Sequence, residues 1–212
     1  MFIDLQRKFS GGTFVVPGGK TPHFFYHYLA HKVKVWSDTT LLLSDERLVE
    51  ESLPESNMGM IKNQLVDQIT ANTKPNLLPA INGYSPEQTN QLVEKLNFRV
   101  KSFLPLQAAF LGIGSDGHTA SLFPGFEERF FSNDPFIVID RKSESFKRVS
   151  LSATILTQTP LLIFLVSGIE KQPIVDRILN ESNDGLMLPV LSIIQKAKAD
   201  VLLLSDQQAA AQ

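Results

Sequence analysis

Acid–base chemistry has its best candidates in one short stretch, Gly112-Ile113-Gly114-Ser115-Asp116-Gly117-His118. Histidine is the side chain whose ordinary pKa lies near neutrality. A carboxylate two residues earlier, Asp116, can orient the imidazole or set its tautomer. The glycines, Gly114 and Gly117 among them, bring backbone N–H groups close to a ligand, where they can meet a developing oxyanion. Read this way, His118 is a general base beside oxyanion donors. The plainer alternative is an Asp-Gly turn with His118 at the start of a helix.

Three further places carry charge that such chemistry could use. Pro17-Gly18-Gly19-Lys20-Thr21-Pro22 comes after an apolar run and leads into a helix, with Thr21 placed to cap and Pro22 at the first helical position. Its glycines expose N–H groups and Lys20 adds positive charge, which suits a phosphate or carboxylate. The spacing is not that of a nucleotide P-loop, and an ordinary glycine-rich turn explains it equally well. Ser44-Asp45-Glu46-Arg47 ends another apolar run, where Arg47 could hold an anion in a fixed fork; a solvated charge cluster is the alternative, with Ser56-Asn57 capping the next helix. Arg148 and Lys171 stand at further strand ends as candidate anion ligands or plain surface residues. His23, His27 and His31 share one helix face and could hold a metal, but Phe24, Phe25 and Tyr26 stand where a metalloprotease pattern needs a carboxylate. A solvated helix face is the simpler reading, and the phenylalanine-rich stretches read as core or interface packing.

These loops need strands and helices to hold them. Apolar runs at Thr13–Val16, Thr39–Leu43, Ala108–Leu111, Val149–Leu151, Leu161–Val166 and Val201–Leu204 read as buried strands. Helical signals cover Pro22–His31, Ser56–Ile69, Ser85–Asn97, Thr119–Phe123 and Ile169–Leu179, the third opening on the capping box Ser85-Pro86-Glu87-Gln88. Lys74–Pro86 and Phe126–Asp134 read as surface loops, and Gln207–Gln212 as a frayed end or a short last helix. The alternation predicts an α/β fold, a mainly parallel sheet with helices on both faces. Ligands of such sheets bind at the carboxyl ends of the strands, which is where the polar loops fall.

Composition narrows the function classes. A chain of 212 residues with 43% hydrophobic and 20% charged residues has the balance of a folded protein, and its length predicts a single domain over 1–212. With a net charge of −2 and no basic block, nucleic acid is not an expected partner. The longest aliphatic and aromatic run spans six residues, Leu161–Val166, against about 20 for a membrane helix, so no membrane partner is expected either. There is no cysteine and no visible secretory signal, which points to the cytoplasm.

The same loops resemble the 6-phosphogluconolactonase family. Gly18-Gly19-Lys20-Thr21-Pro22 is similar to its Gly-Gly-x-Thr-Pro loop, Ser44-Asp45-Glu46-Arg47 to its Asp-Glu-Arg strand end, and Ser56-Asn57 to its Ser-Asn helix start. Gly112-x-Gly114-x-Asp116-Gly117-His118-Thr119-Ala120-Ser121-Leu122-Phe123-Pro124 resembles the family signature almost residue for residue. Weaker likeness runs through Arg148–Leu151, Phe164–Lys171, Leu188-Pro189 and Val201–Leu204. The chain departs from the family in a shorter N-terminal segment, which predicts a first helix that is short or missing. It also has Ser115 where an acidic residue is common, and Ser143-Glu144-Ser145-Phe146-Lys147 in place of a Lys-Pro-Pro element.

The resemblance implies a Rossmann-like fold and hydrolysis of 6-phospho-D-glucono-1,5-lactone, with no metal or cofactor. It implies His118, Asp116 and Arg47 as catalytic residues, and Gly18, Gly19, Lys20, Thr21, Asp45, Gly114, Gly117, Arg148 and Lys171 as substrate-binding ones. The expected partner is a phosphorylated sugar lactone; of the oligomeric states, which the sequence leaves open, a monomer is favoured. The alternatives are a glucosamine-6-phosphate deaminase-type enzyme, whose corresponding loop continues differently after Gly-His, and a non-catalytic sugar-phosphate-binding module.

Overall fold

The computed structural model describes residues 1–79, 88–125, 129–180, 188–206 and 209. Six strands form one parallel sheet: β1 (Gly12–Val16), β2 (Thr39–Leu43), β4 (Asn76–Leu78), β5 (Ala108–Gly112), β8 (Leu161–Val166) and β9 (Asp200–Ser205), in the order β4-β2-β1-β5-β8-β9. Alternate residues bury on opposite faces, as the two-residue period of a strand demands. Phe14, Val16, Leu41, Leu43, Phe110 and Ile163 meet α1 (Phe2–Lys8), α2 (His23–Lys32) and α3 (Asn57–Gln64). Val15, Leu42, Ala109, Leu111 and Phe164 meet α4 (Thr89–Val100), α5 (Ala153–Gln158), α6 (Gln172–Leu179) and α7 (Pro189–Lys196). Strands covered on both sides have no room for charge, so polar groups collect in the loops beyond their ends.

Between β1 and β5 the direction of the crossovers reverses, and the loops that leave these two strands splay apart to open a crevice. A second, antiparallel sheet stands beside it: β3 (Asp45–Arg47), β7 (Arg148–Leu151) and β6 (Phe136–Ile139), in the order β3-β7-β6. Ser44 joins the two sheets, its N–H donating to Val16 O at 2.9 Å while its own carbonyl accepts from Leu151 N at 2.8 Å.

Several sequence-based expectations need correction. Asp45–Arg47 is a strand of its own rather than a charged strand end, and Val149–Leu151 pairs with it instead of joining the parallel sheet. Lys74–Pro86 contains a strand, because Leu77 and Leu78 pair beside Leu41 and Leu42; its residues from 80 on, with most of the Ser85–Gln88 capping box, lie outside the described residues. Thr119–Phe123 forms no helix. Ala120 has φ of 50°, and Thr119 is tied back by its hydroxyl to Gly112 O at 2.8 Å. Thr21 caps nothing, since α2 has no side-chain cap and the Thr21 hydroxyl accepts from Ser167 at 3.3 Å. Phe130, expected in core or interface packing, is buried although the stretch Phe126–Asp134 reads as a surface loop, and Phe24, with the same expectation, is 91% exposed. The first helix is short, at seven residues, and Ser56 does cap α3, accepting from Gly59 N at 3.0 Å. β6, α5 and α7 add to the elements expected from sequence.

Candidate active site

The crevice holds a cavity of about 290 Å³. The loop after β1 supplies the wall from Pro17 to Thr21, the end of β5 and the segment after it supply Gly112, Ile113, Gly114, His118 and Ala120, and the turn after β8 supplies Glu170 and Lys171. The small sheet supplies Asp45, Arg47 and Arg148 from within its own strands. Alternation along β3 explains that placement: Asp45 and Arg47 face the cavity, while Glu46 between them points away. Glu46 is fully buried and accepts from Asn57 N at 2.8 Å, Met58 N at 2.6 Å and Arg47 N at 2.7 Å. Burial pushes its carboxyl up, and the three N–H donors act against that push. Glu46 thereby pins the start of α3 to β3 and carries Asn57 into the wall, where its amide donates to Asp45 O at 2.9 Å. A side chain at Gly18 would collide with the Asn57 carboxamide, so glycine is required there.

His118 stands on the wall with Asp116 behind it. Its Nδ1 lies 2.5 Å from Asp116 Oδ1, and its own N–H donates to the same oxygen at 3.2 Å. Burial works against the charge of Asp116, yet the imidazole and these bonds hold the carboxyl below its ordinary value. With Nδ1 directed to a carboxylate, Nε2 is the nitrogen left for proton transfer. The Asp45 carboxylate is held by Ser44 Oγ at 2.9 Å and Ser121 Oγ at 2.5 Å. Arg47 donates through Nη1 to Glu55 O at 2.6 Å, and its buried Nε has no partner among the described residues.

Ten of the twelve residues singled out in the sequence line this one cavity; Asp116 and Gly117 do not. Gly117 (φ 78°) packs behind the wall, where a Cβ would lie 2.7 Å from the Leu188 side chain. Its N–H donates to Gly114 O at 3.0 Å, and Gly114 N–H donates to His118 O at 2.8 Å. Neither is therefore available as an oxyanion donor, which corrects the expectation for that loop. No bond among the described residues uses the N–H of Gly18, Gly19 or Lys20. Glu170 escapes sequence reasoning, and only its neighbour Lys171 marks the place; Asn57 reads there as a helix cap alone. The His27 and His31 rings lie tilted, centroids 4.5 Å apart, on the exposed side of α2, and no group of three potential metal ligands occurs among the described residues.

Fold and site together define an α/β protein with a crevice at the switch point of its sheet, lined by Lys20, Arg47, Arg148 and Lys171 and with a carboxylate-supported histidine in the wall. Residues 4–203 match the family of glucosamine-6-phosphate isomerases/6-phosphogluconolactonase, and the chain belongs to that family. It is 30% identical over 203 residues to a 6-phosphogluconolactonase of Synechocystis sp., covering 93% of this chain and 83% of that one. It is also 30% identical over 184 residues to one of Helicobacter pylori, covering 85% and 78%. The crystal structure of 6-phosphogluconolactonase from Leishmania guyanensis superposes with a TM-score of 0.78 at 25% identity, covering 98% of this chain and 89% of that one. No helix among the described residues is long and apolar enough to cross a membrane.

Proposed function

We propose that the chain, acting as one domain over 1–212, is a 6-phosphogluconolactonase that opens 6-phospho-D-glucono-1,5-lactone to 6-phospho-D-gluconate in the oxidative pentose phosphate pathway. The observation that carries this reading is His118 on the wall of a cavity that Lys20, Arg47, Arg148 and Lys171 also line, with Asp116 bonded behind it. His118 Nε2 takes a proton from water as the water oxygen adds to the lactone carbonyl carbon. The tetrahedral intermediate collapses by breaking the bond to the ring oxygen, which receives the proton back from the imidazolium. Asp116 holds the ring and stabilises its charged form. The oxyanion is met by the free N–H groups of Gly18, Gly19 and Lys20, while the side chains of Lys20, Thr21, Arg47, Lys171 and Arg148 face the phosphorylated sugar acid. The phosphorylated-sugar substrate and the cysteine-free sequence both fit a cytoplasmic setting.

The test is the decay of lactone generated in situ by oxidising glucose 6-phosphate, read as the excess over spontaneous opening. His118→Ala is expected to cut that excess by roughly 10²–10⁴-fold, the scale of a lost general base. Activity within about threefold of the parent removes His118 from that role. No acceleration by the parent protein overturns the reading and turns attention to ammonia release from glucosamine 6-phosphate, then to a binding module.

A further inference from the structure

The segment between β6 and β7 sets one carboxylate against two guanidinium groups. Glu144 accepts from Arg148 through a two-point fork, Nε to Oε2 at 2.7 Å and Nη2 to Oε1 at 2.9 Å, and from Arg141 Nη1 at 2.8 Å. Arg148 is one of four cationic side chains on the cavity wall, with Lys20, Arg47 and Lys171. It differs from the other three in charge balance. Its remaining nitrogen, Nη1, lies 3.4 Å from the Ser121 hydroxyl and 3.9 Å from the Asp45 carboxylate, so the guanidinium sits between two carboxylates. Lys20, Arg47 and Lys171 enter no ion pair among the described residues. Both members of the fork are largely buried, with side-chain exposures of 10% and 16%, so water screens the pairing little.

We infer that Glu144 is a positioning residue that withholds the charge of Arg148 from the bound anion and so sets the anion affinity of the cavity below what four free cations would give. A forked guanidinium–carboxylate pair is the strongest of the charged hydrogen bonds, and a carboxylate held that close offsets the field Arg148 projects into the cavity. The chemistry gives this restraint a purpose. The product carries both a phosphate and a new carboxylate, and binding that grips substrate and product alike does nothing for turnover. The identity of the ligand rests on the lactonase reading; the clamp on Arg148 does not.

Calorimetric titration of the parent protein and Glu144→Gln with 6-phosphogluconate, and separately with inorganic phosphate, reads the clamp directly. Glu144→Gln is expected to bind 6-phosphogluconate about three- to tenfold more tightly, to bind phosphate more tightly as well, and to show a lower KM for lactone. Glu144→Gln combined with Arg148→Gln is expected to lose the gain. A merely structural role would loosen binding instead. Unchanged or weaker binding of both probes by a Glu144→Gln protein that is folded at the temperature of the titration overturns the inference. If that variant does not fold, Glu144→Asp, which draws the carboxylate back by one methylene, is expected to shift affinity the same way by less, and no gain there overturns it too. A parent protein that opens no lactone, alongside a Glu144→Gln protein that gains phosphate affinity, removes the lactonase reading and keeps the clamp. Lactone opening with no gain for either probe does the reverse.

Discussion

The two sheets serve the cavity by different routes. The parallel sheet reaches it at the tip of β5, Gly112, and otherwise through the segments that leave its strands: the loop after β1, the turn carrying His118 after β5, and Lys171 after β8. The antiparallel sheet is itself part of the wall, presenting Asp45 and Arg47 from β3 and Arg148 from β7. Burial explains the division. Strands packed between two helical layers are apolar on both faces and act as a platform that aims loops. A small sheet beside that platform can turn one face to the cavity and hold charges at fixed spacing. Position and charge therefore come from separate parts of the molecule and should fail separately.

The largest effect expected is on the platform. Leu42 is fully buried in β2 and packs in the core under α4 to α7. Leu42→Ala should destabilise the protein by about 2–5 kcal/mol, the range for deleting a buried leucine side chain. Activity per folded molecule should stay near the parent value, since no wall residue changes. Denaturant unfolding alongside the lactone assay checks both halves, and a large loss of kcat in a protein still folded would blur the division. Arg47→Ala probes the small sheet and should do the opposite. Melting should move little, while KM rises by about tenfold or more and kcat falls by less, as for a residue that mainly binds. A fall in kcat with KM unchanged would place Arg47 in transition-state stabilisation instead.

The same division governs how much of the structure can be read from the sequence. β1, β2, β5 and β8 stand out within a residue or so, because burial on both faces demands unbroken apolar runs such as Phe14–Val16 and Leu41–Leu43. β3 has no such mark. Asp45-Glu46-Arg47 is a strand because β7 supplies its ladder, Asp45 opposite Ser150 and Arg47 opposite Arg148, and pairing of that kind is not written in local pattern. The turn at Thr119–Phe123 misleads for a related reason. Its composition is compatible with a helix, and only the Thr119 hydroxyl bond and the positive φ of Ala120 decide otherwise. In the site, His118 and Asp116 are legible because they are two residues apart and touch. Glu144 is not, since its two arginine partners meet it only through the path of an irregular segment.

The smallest effect expected is a pH dependence within the small sheet. Burial works against the charge of Glu144, but the fork from Arg148 and the charge of Arg141 outweigh it and hold the carboxyl below its ordinary value of 4.5. With the folded value depressed, the unfolded chain takes up the proton first as pH falls. The pair's contribution to stability is therefore complete above the ordinary value and is lost as pH drops through the folded one. Near neutrality Glu144→Gln should melt about 2–4 °C below the parent, the shift that about 1 kcal/mol gives a chain of this size. On acidification below the ordinary value the gap should close, because the protonated parent comes to resemble the amide. A gap that stays constant from neutrality down through that range would mean that the charge of Glu144 adds nothing to folding, and that its side chain contributes through neutral contacts alone.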